Sequence, residues 1–587
     1  MAAAITSGLS KLNPFSKSKG GDDEDKGEEI QIDSVGGGGH ASRKCKITKD
    51  QLRVSHALKS VLVKERVLSE QDVGLDSDRP TGALRELLNR PHVKVPREVL
   101  DRSHPLSEYI ISSSHNTYLV AHQLYGTSTA VAYETALRTG ARCVEIDAWD
   151  NDDDPKEPKV THGYTLASNI PFRKVCEAMR DVHDQEIREA EGQGGPYRPA
   201  PIMISLENHC GPEGQQRLTD IMKEVFSERL LSKRVRDQGS AEESGSGKPV
   251  TLEELGSKIC VIVEYYFPEQ EDDSSSSSDD EAEAEGEQEK KARIDYKQRK
   301  KAAPKGIIPA LADLGVYAQS VKPVDKSWLR GELKDGPHDH LINISESQLG
   351  SILPAQTADV SKHNAHHLMR VFPKGTRISS KNLHPVPFWG VGAQICALNW
   401  QTFDASVQLN EALFAESDGY VLKPPALRAG GSGKLQQSKR KLRLHIAGAT
   451  DVPVPKDREG REIMPYVTCT LLTTTNFSHD PPKRKTAGYK QHKHGLIHRG
   501  EQPPPTDPVW DEVLEWEYEH DELSFLRILI KSDDKFAANP VLCVGSVRLM
   551  YVGEEWCFVR MLDLKARETH CTLLVRFEML ELKEELR

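Results

Sequence analysis

Apolar residues recur at helical spacing from Ile47 to about Arg102, through Leu52, Val54, Ala57, Leu58, Val61 and Leu62 and again through Leu84, Leu87 and Leu88. That period predicts a small helical segment. Beyond Pro105 the pattern changes: short β-rich runs at Tyr109 to Ser112, Cys143 to Ala148, Ile202 to Leu206 and Lys258 to Val263 alternate with helical stretches. The alternation resumes near Gly315 and runs through His340 to Ile344, Leu368 to Phe372 and Gln394 to Trp400. Strands alternating with helices over about 250 residues predict a parallel α/β barrel of the (β/α)8 type. After the break at Gly430 to Gly433 the pattern is all-β. Leu442-Leu444-Ile446, Tyr466 to Leu472, Phe525 to Ile530 and Thr572 to Phe577 read as short strands of an antiparallel sandwich.

Two stretches have no apolar face to bury. Residues 1–46 combine Lys, Ser, an acidic cluster and the run Gly36 to Gly39, and Glu271 to Lys301 is acidic and serine-rich, then basic. Both compositions predict disorder, the second as an insertion inside the barrel. The expected organisation is a disordered tail over 1–46, a helical segment over 47–102, barrel halves over 103–266 and 304–428 flanking a linker over 267–303, and a sandwich over 429–587. The pair Asp76 and Asp78 invites comparison with an EF-hand loop. The template then needs Gly and Glu where this chain has Thr81 and Leu87, so a plain turn is expected.

A chain of 587 residues exceeds one ordinary core, in keeping with several domains. The net charge of -11 sits largely in the two acidic stretches and says little about partners; no nucleic-acid role is expected. No run approaches the roughly 20 apolar residues that span a bilayer. The start, MAAAITSGLSKLNPFSKSKGG, has neither the apolar core of a secretory signal nor a glycine after the initiator. The ten cysteines are scattered without a CxxC pair, as expected for reduced thiols of a cytoplasmic protein.

Candidate chemistry falls at strand ends, where a barrel of this kind places its active site. His115 and Asn116 follow the first strand in SSSHNTYL, and Glu145 and Asp147 end the second in CVEIDAWD. Their i,i+2 spacing puts both carboxylates on one face. His162 follows a short run in VTHGYT, and Glu207 with Asn208 ends the next strand in IMISLENH. Carboxylate and amide oxygens suit a hard cation such as Ca2+, which would neutralise charge building on a phosphodiester. Histidines stabilise such charge or protonate a leaving oxygen near neutral pH. Any one strand-end histidine also fits a structural role; four such strand ends in order point to a site.

These residues lie in segments that resemble a known family. PLSEYIISSSHNTYL, ARCVEIDAWD, HGYTL and PIMISLENHC resemble the X half of the eukaryotic phosphoinositide-specific phospholipase C barrel, and PALADLGVYAQSVK, INISES, LMRVFPKGTRISSKN, PVPFWGVGAQICALNWQT and GYVLKP resemble its Y half. The acidic stretch stands where the family has its X-Y linker, the sandwich is similar to its C2-type domain, and the helical segment takes the place of its EF-hand region. About 46 residues before that segment are too few for a pleckstrin-homology domain. The resemblance implies calcium-dependent hydrolysis of a phosphoinositide to diacylglycerol and an inositol phosphate through a cyclic phosphodiester. It implies Asn116, Glu145, Asp147 and Glu207 as calcium ligands, His115 as stabiliser of the pentacoordinate state, His162 as the acid for the leaving diacylglycerol, and Glu145 or Glu207 as base.

The headgroup positions depart from the family. Two lysines of the family pattern become Ile262 and Glu264, a serine becomes Asn343, Arg370 is kept and a tyrosine becomes Phe372. A charge-assisted hydrogen bond contributes about 1.5 to 3 kcal/mol. Losing two costs on the order of a hundredfold to ten-thousandfold in affinity. Phosphatidylinositol or a monophosphate is therefore expected to be preferred over the 4,5-bisphosphate.

Leu124, Tyr164 and Leu166 match the family's apolar membrane ridge, with Thr376 in place of its tryptophan. The basic runs Lys439-Arg440-Lys441-Arg443 and Lys483-Arg484-Lys485 with Lys490 and Lys493 are expected either to attract anionic lipid or to form solvated faces. Asp451, Asp457, Asp533 and Asp534 fall in loops of the sandwich, an incomplete calcium set. His363, His366 and His367 lack a carboxylate or Cys to complete a metal site, so a structural or surface role is expected. The acidic linker is expected either to act as an electrostatic lid or to be a passive tether. The expected protein is cytoplasmic, recruited peripherally to membranes. The competing expectation is a catalytically weak, membrane-binding scaffold.

Overall fold

The computed structural model describes residues 51–77, 79–120, 127–161, 169–192, 199–236, 248–267, 306–323, 325–330, 333, 336–374, 382–454, 463–475, 481–491, 502–533 and 540–582. The expected tail and most of the acidic linker lie outside these residues, as do Leu124, His162, Tyr164, Leu166, Thr376, Asp457, Lys493 and Asp534.

Strands β1 (Tyr109–Ile111), β2 (Cys143–Trp149), β3 (Ile202–His209), β4 (Ile259–Glu264), β5 (Gln319–Val321), β6 (His340–Ser345), β7 (Leu368–Phe372) and β8 (Ile395–Cys396) are parallel neighbours in the order β1-β8-β7-β6-β5-β4-β3-β2. A parallel bridge from Ser113 to Cys143 joins β1 to β2, which closes the barrel. Closure needs every strand to be apolar on both faces. Ile111, Met203, Cys260, Ile262, Leu341 and Leu368 plug the interior. The alternate residues Val144, Ile146, Ile204, Val261, Ile342 and Val371 face the surrounding helices. Those helices include α4 (Ala130–Arg138), α5 (Phe172–Gly192) and α6 (Pro212–Phe226), whose apolar stripes bury Leu137, Met179 and Ile221. Because the lower interior is filled with side chains, polar groups have room only at the carboxyl ends of the strands.

The C-terminal sandwich is a continuous antiparallel sheet. Its strands are β9 (Ser438–Thr450), β10 (Pro465–Leu472), β11 (Lys483–Lys485), β12 (Val509–His520), β13 (Phe525–Ser532), β14 (Val541–Arg548), β15 (Trp556–Leu562) and β16 (Glu568–Glu581), in the order β11-β10-β13-β14-β15-β16-β9-β12. Leu444, Val467, Ile528, Val559 and Phe577 are among its core residues. Barrel and sandwich share a buried contact: α7 (Ala405–Leu413) is buried along most of its length, and Arg527 Nε of β13 donates to Gln408 Oε1 at 2.7 Å. Helices α1 (His56–Lys64), α2 (Glu70–Val73) and α3 (Gly82–Asn89) lay Leu58, Leu62, Leu84 and Leu87 on Ala447, Trp556 and Phe558 of the sandwich. In the turn after α2, buried Lys59 donates its ammonium to the Gly74 and Ser77 carbonyls. Arg53 ties this segment to the sandwich through Asp507 and Asp451, each at 2.7 Å.

The basic run on β9 is met by acids on its neighbours: Lys441 and Arg443 pair with Glu515 at 2.8 Å, and Arg443 with Glu578 at 2.9 Å. This sets its solvated-face reading above a free lipid-binding patch. Among the described residues no helix is long and apolar enough to cross a membrane. The described cysteines are buried and free of disulfides.

The histidine cluster gains a member from β6. His340 Nε2 lies 3.0 Å from His363 Nε2, and the His340 ring stacks on His367 at 4.0 Å, while Trp328 meets His363 edge-on; His366 is exposed. Burial pushes His363 down to about 3. The folded state therefore keeps this ring neutral while the unfolded chain takes a proton near pH 6.5, so the associated stability is present above that pH and is lost below it. The expected loss is about 1.4 kcal/mol per pH unit between roughly pH 6.5 and pH 3. Urea unfolding at pH 7, 6 and 5 should show a shallower pH slope in His363→Asn than in the parent. Parallel slopes would contradict this.

Candidate active site

The carboxyl ends of β1 to β3 bring the oxygen-bearing residues to one mouth. Register sets Asp147 opposite Glu207 and Glu145 opposite Ser205. Since side chains alternate along a strand, Cys143, Glu145 and Asp147 share the inward face, with Cys143 part of the interior plug. Donor atoms of Asp147, Glu207 and His209 lie within 4.8 Å of one another. His209 was not singled out above, although it lies two residues beyond Glu207 on the same strand face; its ring stacks on Trp149 at 4.0 Å.

Asn116 stands above this group in the left-handed backbone region, at φ 48°, which Asn tolerates better than most residues. That turn aims its backbone N–H at Glu145 Oε2, 2.8 Å away. The buried phenol of Tyr118 donates to Asp147 Oδ2 at 2.7 Å and lies 3.1 Å from the Asn116 side-chain amide, linking the two. Burial, then the neighbouring Asp147, raises the Tyr118 pKa well above its usual value, so it stays a donor.

The donor set fits a divalent cation. Two carboxylates close together repel unless a positive charge joins them, and the Nδ2 face of Asn116 is buried with no hydrogen-bond partner among the described residues. Turning that amide over would present its oxygen instead. Of the four expected ligands, Asp147 and Glu207 lie together with His209, and Asn116 is joined to Asp147 through Tyr118. Glu145 adjoins this group but is turned to a different partner: Arg370 Nη2 reaches across the barrel to Glu145 Oε1 at 2.5 Å, and both side chains are buried. Burial disfavours the charge on Arg370, but Glu145 foremost, with Glu207 and Asp147, holds it protonated.

His115 Nε2 sits 3.9 Å from Glu145 Oε2. Its Nδ1 lies 2.8 Å from Asn399 Oδ1, an acceptor, so Nδ1 carries a proton and Nε2 faces the site. Asn399 comes from a short strand paired in register with His115. No sequence signal connects two positions so far apart in the chain. Asn399 acts as a positioning residue. Asn399→Leu should lower kcat by about 10-fold to 100-fold, the range seen for lost outer partners of site histidines, with KM little changed. Asn399→Asp, which keeps the acceptor, should recover most of the rate. Equal damage from both variants would show packing alone to be at stake.

The headgroup positions all face inward. Ile262, opposite Ser205, is buried in the interior plug, and Glu264 follows two residues later on the same face. Asn343 Oδ1 accepts from Arg370 Nη1 at 3.1 Å, and the guanidinium lies 5.8 Å from the Phe372 ring centre.

Comparison with known proteins agrees with this geometry. Residues 102–265 match the family "Phosphatidylinositol-specific phospholipase C, X domain", residues 311–426 match its Y domain, and residues 440–557 match the C2 domain. The 1-phosphatidylinositol 4,5-bisphosphate phosphodiesterase of Dictyostelium discoideum is 29% identical over 495 residues, covering 78% of this chain and 56% of the relative. The zeta-1 enzyme of that name from Bos taurus is 30% identical over 489 residues, covering 76% of this chain and 71% of the relative. The crystal structure of L. pealei PLC21 superposes with a TM-score of 0.65 at 22% identity, over 90% of this chain and 63% of that one, and shares the fold. The chain therefore spans little more than half of some relatives. With an eight-stranded parallel barrel, a C2-type sandwich and the X and Y segments in order, this chain belongs to the phosphoinositide-specific phospholipase C family.

Proposed function

We propose that this chain is a calcium-dependent phospholipase that cleaves a membrane phosphoinositide to diacylglycerol and an inositol phosphate. The observation that carries the proposal is the convergence of Asp147 and Glu207 donors within 4.8 Å, beside His115, at the carboxyl mouth of the barrel. Asn116, Glu145, Asp147 and Glu207 would hold the calcium ion, which supplies positive charge to a reacting phosphodiester. His115, held at Nδ1 by Asn399, presents Nε2 to the mouth, where the doubly protonated ring would donate a hydrogen bond to charge developing on phosphorus. Glu145 or Glu207 takes the proton of the ring 2-hydroxyl, and His162 gives one to the departing diacylglycerol oxygen.

Leu124, Tyr164 and Leu166 form the membrane-contacting ridge of this proposal, and the C2-type sandwich adds a second contact with an anionic surface. The protein is thereby cytoplasmic and peripheral. Ile262, Glu264, Asn343, Arg370 and Phe372 line the headgroup pocket and favour phosphatidylinositol or a monophosphate over the 4,5-bisphosphate. Incubating the full chain with phosphatidylinositol vesicles over a calcium series tests the proposal. Calcium-dependent release of diacylglycerol and inositol phosphate is expected; cleavage insensitive to calcium chelation would overturn the calcium dependence, and no cleavage of phosphatidylinositol or its monophosphates would overturn the enzyme in favour of a binding scaffold.

A further inference from the structure

The headgroup pocket has a cation that the family comparison does not supply. Ala318 belongs to the interior plug, so by strand alternation Ser320 and Lys322 face inward as well. Val321 is opposite Ile342 and Asn343 is opposite Arg370. Lys322 thus shares a rung with Asn343 and Arg370, one residue past β5.

The two cations on that rung differ in their commitments. Arg370 is buried against Glu145 at 2.5 Å. Lys322 is 59% exposed, and its Nζ stands 3.6 Å from Glu264 Oε1, a long ion pair between a mobile ammonium and a largely buried carboxylate. Glu264 has a second partner: its Oε2 accepts from the hydroxyl of the exposed Tyr266 at 3.0 Å. A flexible four-carbon stem lets Lys322 turn from Glu264 to an incoming anion without disturbing the strand. Glu264, on the same wall, repels any second anion brought there.

We propose that Lys322 is the residue that recognises a phosphate on the inositol ring, with Glu264 as its resting counter-ion, so that the pocket admits one ring phosphate and selects against two. The assignment rests on the phospholipase function proposed above. It narrows the substrate class to a phosphatidylinositol monophosphate. A phosphomonoester near neutral pH carries about -1.5 to -2 charges. One ammonium partner therefore satisfies a single group only in part, and nothing on this rung remains for a second.

The test compares kcat/KM of the full chain on short-chain phosphatidylinositol, its 4-phosphate, its 5-phosphate and its 4,5-bisphosphate, each dispersed below its micellar concentration at fixed calcium to remove vesicle charge. The parent protein should turn over one of the two monophosphates fastest. Lys322→Gln should lower the ratio of that monophosphate to phosphatidylinositol by about tenfold to a hundredfold, the worth of one charge-assisted hydrogen bond, and Lys322→Arg should keep most of it. Glu264→Gln should raise the bisphosphate relative to the monophosphate by a similar factor. A Lys322→Gln variant that changes all four substrates by one common factor, or none, would overturn the assignment and leave the phospholipase function standing. Failure of the parent protein to cleave any of the four would remove both.

Discussion

Asp147→Asn is expected to reduce calcium-stimulated phosphatidylinositol cleavage by about a hundredfold to a thousandfold, the range found when one electrostatic contact to a reacting centre is removed. The substitution keeps the shape of the side chain and an oxygen for the Tyr118 hydroxyl, now at 2.7 Å. It removes the charge that, with Glu207, makes the mouth attractive to a cation. The fall in rate should come with a shift of the calcium midpoint to higher concentration. His115→Ala makes the informative contrast, since it should lose a similar factor while the calcium midpoint stays in place. Calcium titrations of both variants on the same vesicles separate the two roles. If Asp147→Asn kept the parent midpoint, the cation would be held elsewhere and the ligand assignment would fall.

The second large effect is on stability. Arg370 and Glu145 have side chains 6% and 5% exposed and meet at 2.5 Å. Removing one member of such a pair leaves an uncompensated charge in a low-dielectric interior, and Arg370→Leu should destabilise the barrel by about 3 to 5 kcal/mol. Replacing both members by leucine removes the stranded charge, and Arg370→Leu with Glu145→Leu should regain most of that loss. The double variant should nonetheless be inactive, because Glu145 also anchors the Asn116 turn through its backbone N–H. Hydrogen exchange of β2 and β7 amides measures the barrel locally, without assuming that all domains unfold together. Unchanged protection in Arg370→Leu would show that water reaches the pair in solution. The pair also bears on specificity, since an arginine held by Glu145 is less available to a ring phosphate than one facing open solvent.

The local pattern of apolar residues carried much of this. Alternating strands and helices pointed to the parallel barrel because a strand buried on both faces must read as a short apolar run. The sandwich was legible in part: four apolar runs lie on β9, β10, β13 and β16, whereas β11, β12, β14 and β15 carry no such run in the sequence reading. β12 shows why, since only Leu514, Trp516 and His520 are buried along it and charged residues fill the other face. The stretch EVLEWEYEH does alternate, but its apolar half is thin and its Glu515 answers Lys441 and Arg443 on β9.

What the sequence by itself determined is which residues share a face: the period of two along β2 and β3 sets Glu145 with Asp147, and Glu207 with His209, before any neighbour is known. What only the tertiary structure decided is who meets whom across the barrel. Asn399 orients His115, Arg370 takes Glu145, Lys322 rests on Glu264 and His340 completes the histidine stack. The reason is physical: periodicity follows from the geometry of one strand, whereas these contacts depend on the order, stagger and closure of eight strands, which bring together residues from 23 to 284 positions apart.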